Sequence, residues 1–282
     1  MKNKRKTISK EFIVKGKGLH GGKDSFLILK PNFNSTGVVF INTDNGEKII
    51  LSPSAVCALE RGTVIGEGGF KVSTVEHLLS AFFAFDVDDV EIEIKGNEVP
   101  AMDGSAKFFG EMLYRISIIE KEEEADYFNL ETPIEMESGG SYYKMEKSDC
   151  FKIECVYENN HPLIKRQVLE LEINKENYLR EIAPARTFGF DYEIEYLKKN
   201  NLALGGSLDN AVVLTKDSVI NKEGLRFKDE FVRHKILDLL GDLKVSGLRF
   251  KDIKITAVRP SHKANYDLVK LITARSVYGK TK

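Results

Sequence analysis

The sequence predicts an α+β fold of two similar domains, each a mainly antiparallel sheet with helices on one face, the helix layers packed against each other. Three observations predict it. Short alternating runs of strand character precede an apolar helix in each half. The order helix, strand, loop, helix then occurs twice, with low identity between the copies. An acidic run without apolar periodicity, Glu120–Asp126 (EKEEEAD), lies between the halves and reads as their seam. The boundaries that follow are 1–122 for the first domain, carrying Glu76 and His77, and 127–282 for the second, carrying His234, Asp238 and His262.

In chain order, Ser25–Leu29, Gly37–Ile41 and Glu47–Leu51 alternate apolar and polar residues, the pattern of half-buried antiparallel strands. Val75–Phe85 (VEHLLSAFFAF) reads as an apolar helix and Val90–Ile94 (VEIEI) as an alternating strand. The loop GNEVPAMDGS leads to a helix over Ala106–Ile116. In the second half Cys150–Tyr157 and Gln167–Ile173 are strands, and FVRHKILDLLGDL (231–243) is a helix. The strand Ile253–Val258 (IKITAV), the short loop RPS and the helix His262–Ala274 complete the order. Facing helix layers would bring the histidine-bearing helices to one interface, where pockets are common.

A chain of 282 residues is long enough for two domains. With 42 basic and 43 acidic residues, the net charge of −1 offers no basic surplus for nucleic acid. The start MKNKRK is basic, but no apolar stretch follows as in a secretory signal. Nothing approaches the ~20 apolar residues of a membrane span. The three cysteines, Cys57, Cys150 and Cys155, are odd in number and fit no zinc-ribbon spacing, so a reducing cytoplasm is the simplest compartment.

Chemistry-bearing residues concentrate on these helices. In Arg233–Asp242 (RHKILDLLGD), Ile236, Leu237, Leu239 and Leu240 mark the buried side, while His234, Asp238 and Asp242 recur at i, i+4 and i+8. One face therefore carries an imidazole and two carboxylates in a row. Such a face is costly to bury without partners, and His and Asp one turn apart can share a metal ion. Lys235 stands beside them and could stabilise a negative oxygen. Glu76 and His77 adjoin near the start of the first apolar helix; adjacent positions point about 100° apart. In a cleft, one could bind a metal while the other takes the proton of a water that the metal acidifies. A helix start with Glu favouring the dipole fits the same residues. His262 follows Ser261 at an N-cap, where the dipole favours neutral imidazole. A carboxylate such as Asp242 would hold the ring charged, as suits a general acid, and an exposed helix-start histidine is the plainer alternative. The glycine-rich stretches Gly16–Gly22 (GKGLHGG) and Leu204–Ala211 (LGGSLDNA) lack phosphate-loop spacing. They suit tight turns or close backbone approach to a ligand.

Together KGLHGGK (17–23), STVEHLLSA (73–81), EVPAMDGSA (98–106), ARTFGF (185–190), LALGGSLDNAVV (202–213), GLRFKDEFVRHKILDLLGDL (224–243) and SHKAN (261–265) cover nearly the whole chain in order. In these segments the chain resembles the UDP-3-O-acyl-N-acetylglucosamine deacetylases, zinc amidases of lipid A biosynthesis. The resemblance implies two βααβ domains with the site between facing helix layers. It implies His77, His234 and Asp238 as ligands of one catalytic zinc, with iron(II) as the alternative occupant. It implies Glu76 as general base, His262 as general acid and Asp242 as its carboxylate partner. Thr187 and Lys235 match the groups that stabilise the oxyanion. Leu19, Phe188, Gly189 and Ser207 match substrate-contacting positions, with a hydrophobic passage from an insert near Val168–Phe190 for the acyl chain. The implied reaction removes the N-acetyl group of a UDP-linked acylated amino sugar, by a chain expected to be a cytoplasmic monomer. A zinc amidase of this fold acting on another acylated amino sugar is the alternative; a degenerate binding paralogue is disfavoured because no catalytic position is missing.

The chain departs from the family at two places. Many members carry Cys where Arg61-Gly62-Thr63 has Gly62, and that Cys can bind a second, inhibitory metal. The usual GH-x-LN becomes Ser261-His262-Lys263-Ala264-Asn265, which keeps the histidine and asparagine, and a difference in local packing is expected there.

Overall fold

The computed structural model describes residues 3–279. Met1 and Lys2 of the basic start, and residues 280–282 of the second predicted domain, lie outside the described residues. The first half runs β1 (Lys4–Ile8), β2 (Phe12–Lys17), β3 (Asp24–Pro31), β4 (Val38–Asn42), β5 (Lys48–Ile50), β6 (Val56–Ala58), β7 (Val64–Glu67) and β8 (Phe70–Val72). It continues with α1 (Glu76–Ala84), β9 (Val90–Lys95), α2 (Lys107–Ile116) and β10 (Ile118–Glu124). The second half begins with β11 (Ile134–Ser138), β12 (Ser141–Lys147), β13 (Lys152–Asn159) and β14 (Lys165–Glu172). After the short α3 (Lys175–Asn177) and a π-turn over Tyr178–Ile182 come β15 (Phe188–Phe190), α4 (Ile194–Lys199) and β16 (Val212–Leu214). The half closes with α5 (Glu230–Lys244), β17 (Ile253–Val258) and α6 (His262–Gly279).

The repeat seen in the sequence is a repeat of topology. One sheet has the strand order β2-β3-β9-β4-β5 and the other β11-β12-β17-β13-β14. In each, the strand after the central helix enters the middle of the sheet, antiparallel to one neighbour and parallel to the other. A parallel neighbour requires a crossover connection, which α1 and α5 provide. Alternation sets the faces: Val90, Ile92 and Ile94 of β9 and Ile253, Ile255 and Ala257 of β17 are buried beneath the helices. On the outer faces Lys30 pairs with Glu93 at 2.6 Å, and Lys254 pairs with Glu154 at 2.7 Å and Glu170 at 2.6 Å.

The two helix layers meet where α1 packs along α5. Gly241 makes that crossing possible, since a Cβ there would stand 2.1 Å from the Glu76 carbonyl oxygen. Any side chain at 241 forces the helices apart, and with them the residues that α1 and α5 carry. One apolar cluster runs through both halves, from Val14 and Leu27 through Leu78 and Phe82 to Leu240 and Ile255.

The acidic run between the halves carries structure of its own. Most of Glu120–Asp126 is β10, antiparallel to β1. Lys4 faces Glu124 and Lys6 faces Glu120. The basic start and the acidic run are thus cross-strand partners, and opposite charges replace apolar alternation as the pairing signal. Lys121 points inward to Asp89 at 3.1 Å, where Arg5 also binds. Arg249 of the second half bonds Asp88 and the carbonyls of Lys4 and Asp86, joining the halves on this side. Among the described residues no helix is long and apolar enough to cross a membrane. Cys57, Cys150 and Cys155 are all free thiols.

Candidate active site

The predicted metal-ligating and proton-transfer residues converge on the α1–α5 crossing. Thr74, just before α1, has φ 57°, a left-handed conformation that a β-branched residue adopts only under constraint. Its hydroxyl donates to Glu98 Oε1 at 3.0 Å, and the next amide, Val75 N–H, donates to the Thr63 carbonyl. The sharp entry delivers Glu76 and His77 to the buried first turn of α1. On α5 the i, i+4, i+8 spacing holds: His234, Asp238 and Asp242 share a buried face.

The His77 and His234 rings meet edge to face with centroids 5.2 Å apart. Ligand atoms of His77, His234 and Asp238 all lie within 4.8 Å of one another. A backbone carbonyl only accepts, so the contact of His234 Nδ1 with the Ala185 oxygen at 3.2 Å makes Nδ1 the N–H and leaves Nε2 with its lone pair. Burial holds His77 down to about 3, with the nearby His234 adding to it, so this imidazole is neutral. Burial lowers His234 as well, against the attraction of Asp238. Burial opposes ionisation of Asp238, but His234 and the Lys235 ammonium outweigh it and hold the carboxyl well below the usual range. Lys235 Nζ donates to Asp238 Oδ2 at 2.8 Å. Asp238 Oδ1 lies 3.3 Å from His234 Nε2 without hydrogen-bond geometry, and among the described residues it is buried with no hydrogen-bond partner. An ionised, buried oxygen left unbonded is costly. Two neutral imidazoles and this oxygen, converging on one point, are a donor set suited to a divalent cation such as zinc with a position left open.

Glu76 and His262 flank the triad. Glu76 Oε2 accepts from the Thr63 amide at 2.9 Å. Burial raises its carboxyl to about 7, with Asp238 and Asp242 adding and His262 opposing. His262 opens α6, and Ser261 Oγ accepts from the Ala264 amide at 3.3 Å, the expected N-cap. Its Nδ1 lies 2.9 Å from Asp242 Oδ2. Burial alone would lower this imidazole, but Asp242 and Asp238 outweigh it and raise it to about 9. The anticipated Asp242–His262 pair therefore forms. Asn265 Nδ2 also donates to Asp242 Oδ2 at 2.8 Å, and the Thr63 hydroxyl to Oδ1 at 2.6 Å.

Glu76, His77, His234, Lys235, Asp238 and His262 line a cleft of ≈ 330 Å³ with Leu19, Leu59, Arg61, Tyr157, Thr187, Phe188 and Phe190. Thr187 is anchored by its amide to the Gly104 carbonyl at 2.7 Å, and its own carbonyl accepts from Val212 at 2.8 Å. Lys235 Nζ sits 5.6 Å from the centre of the Phe188 ring. Gly189 and Ser207 are not among the lining residues. Ser207 closes a turn, its hydroxyl accepting from Asp209 at 3.2 Å and its amide donating to Asn210 Oδ1 at 2.8 Å. The glycine-rich stretches approach each other: a Cβ on Gly205 would lie 2.1 Å from the Gly18 carbonyl oxygen, and Gly205 N–H bonds the Leu19 carbonyl.

Thr63 and Glu98 escaped the sequence reading. Glu98 accepts from the amides of His20 and Gly21, each at 2.7 Å, as well as from Thr74, and so seats the loop that carries Leu19. Neither residue has a local signal, since each acts on partners far along the chain.

Residues 5–274 match the model of the family described as "LpxC: UDP-3-O-acyl N-acetylglycosamine deacetylase". The UDP-3-O-acyl-N-acetylglucosamine deacetylase of Wolinella succinogenes is 40% identical over 267 residues, 95% of this chain and 89% of that protein. That of Oleidesulfovibrio alaskensis is 44% identical over 243 residues, 86% of this chain and 80% of the relative. That of Campylobacter fetus is 40% identical over 280 residues, 95% of each chain.

Proposed function

We propose that this chain, which belongs to the UDP-3-O-acyl N-acetylglycosamine deacetylase family, hydrolyses the N-acetyl group of UDP-3-O-acyl-N-acetylglucosamine to the free amine and acetate, a step of lipid A biosynthesis. The observation that carries the reading is the convergence of His77, His234 and the unbonded Asp238 Oδ1 between a carboxylate and a histidine. These three residues would hold a divalent cation, zinc in this reading and iron(II) as the alternative, which would supply Lewis acidity to a water and to the acetyl carbonyl. Glu76, ionised near neutrality, takes the proton of the attacking water. The water oxygen adds to the acetyl carbon. Lys235 and Thr187 both line the cleft, and in this reading they stabilise the oxygen that becomes negative. His262, charged and oriented by Asp242, gives its proton to the sugar nitrogen as the C–N bond breaks. Leu19, Phe188 and neighbouring apolar groups receive the sugar and acyl chain. The unit is one chain, since every group in this account comes from it, and three unpaired thiols suit the cytoplasm. The test is equimolar release of acetate and free amine from the UDP-linked acylated substrate. Failure to release acetate, with metal supplied, overturns the reading.

The charge states give a pH prediction. Activity needs Glu76 ionised and His262 protonated, so it rises through the titration of the carboxyl and falls through that of the imidazole. The profile is a bell, and a bound cation moves both limbs toward lower pH by disfavouring protons. Asp242→Asn removes the charge that favours imidazolium, so the basic limb should move further to lower pH and turnover should drop without loss of metal. An unmoved limb with full turnover in that variant would refute the pairing.

Gly62 carries a second prediction. A Cβ there would stand 3.0 Å from Glu76 Oε1, so the position borders the base directly. Glycine offers no ligand for a further ion, whereas a thiolate binds zinc well. Micromolar excess zinc should inhibit this chain weakly, and Gly62→Cys should make it sensitive. Equal sensitivity of the two proteins would show that Gly62 is not the deciding position.

A further inference from the structure

Thr63 is buried at 1% exposure and uses every polar group it has within the site. Its amide donates to Glu76 Oε2 at 2.9 Å, and its carbonyl accepts from Val75 N–H at 3.3 Å, just before α1 begins. Its hydroxyl donates to Asp242 Oδ1 at 2.6 Å and lies 3.4 Å from His262 Nδ1. Glu76 and Asp242 stand on different helices from different halves of the chain, and Thr63 belongs to a third element, β7's approach. We infer that Thr63 is the positioning residue that sets the spacing between the proton acceptor Glu76 and the Asp242–His262 pair. The inference rests on the roles given above to those residues.

Asp242 has two oxygens and three donors. Asn265 and His262 share Oδ2, and the Thr63 hydroxyl alone holds Oδ1 among the hydrogen bonds of the site. Without that hydroxyl the carboxylate is free to turn about its Cβ–Cγ bond, and the Nδ1–Oδ2 contact that aims the imidazole loses its fixed direction. Asn265 is itself braced by the Tyr143 hydroxyl, so the Oδ2 side is rigid and the Oδ1 side depends on Thr63. The amide does the corresponding work for the base. A carboxylate that must take a proton from water keeps one oxygen on Thr63 N–H and leaves the other free, and Gly62 leaves room beside that other oxygen. One residue thus holds the acid's partner with its side chain and the base with its backbone. Changing the side chain perturbs only the first.

The experiment uses Thr63→Val, which keeps shape and amide but removes the hydroxyl; Thr63→Ser, which keeps both donors; and Thr63→Ala, which removes the hydroxyl without placing a second methyl against Asp242. Each is assayed as the full zinc-loaded chain, alone and with Asp242→Asn, with metal content and the thermal melting transition as checks of folding. Loss of one hydrogen bond to a charged group predicts a fall in kcat of about 10- to 100-fold in Val and Ala. KM should stay within about twofold, since neither substrate nor apolar lining is touched, and Ser should recover most of kcat. In the Asp242→Asn background the Val change should cost little more, because the carboxylate it orients is gone. Wild-type kcat in Val and Ala, a Ser variant as slow as Val, or losses that multiply fully in the double variant would overturn the role. Wild-type kcat in Asp242→Asn alone would overturn the reading of the Asp242–His262 pair and the role with it, so the two failures are told apart.

Discussion

Replacing His77 by Ala should strip most of the bound metal and nearly all turnover. His77 is one of three residues whose ligand atoms lie within 4.8 Å of one another, and α1 contributes no other ligand to that group. Burial keeps the ring neutral, so the substitution removes a lone pair and not a charge. The remaining His234–Asp238 pair sits on one helix and cannot enclose an ion from the opposite side. Lewis acidity contributes several kcal/mol at the transition state, so the expected loss is on the order of 10³-fold or more. Metal analysis of the purified variant, alongside its rate, checks this. Full metal with full activity would remove His77 from the ligand set.

Glu76→Ala, and the isosteric Glu76→Gln, should keep the metal yet lose roughly 10²–10⁴-fold in kcat, the usual worth of a positioned base. The glutamine variant is the sharper probe. Its amide oxygen can still accept from Thr63 N–H, so the turn into α1 is preserved while the proton acceptor is gone. The acidic limb of the pH profile should vanish with it, because the carboxyl raised to about 7 by burial is the group whose ionisation that limb reports. An unchanged rate at saturating substrate would take Glu76 out of the mechanism. The two substitutions at neighbouring positions therefore separate metal loss from loss of proton transfer.

What could be read from the sequence was what helices and strands encode locally. The face of His234, Asp238 and Asp242 follows from helical geometry alone, and the structure keeps it. The strand Ile253–Val258 was legible to the residue because its inward and outward positions alternate without a break. The repeated order of elements suggested that the histidine-bearing helices face each other, and the resemblance to a family supplied what spacing could not, the roles of Glu76 and His77 beside a helix far along the chain. In physical terms that meeting of helices depends on Gly241, whose missing side chain lets α5 touch the backbone of Glu76, and a lone glycine in a helix announces nothing about its partner. The strand formed by the acidic run was not legible because its partner is the basic start of the chain, and pairing by charge leaves no apolar period to detect. Thr63 and Glu98 were invisible for the same reason, each bonding residues distant in sequence. Ser207, expected among the substrate contacts, holds a turn against Asn210.

The most direct test of the whole account is a zinc titration of the metal-free chain, followed by acetate release from UDP-3-O-acyl-N-acetylglucosamine. The account predicts no turnover without metal, a linear rise to a break at one ion per chain, and no such rise in His77→Ala. Full turnover by the metal-free protein, or a rise that His77→Ala leaves intact, would contradict it.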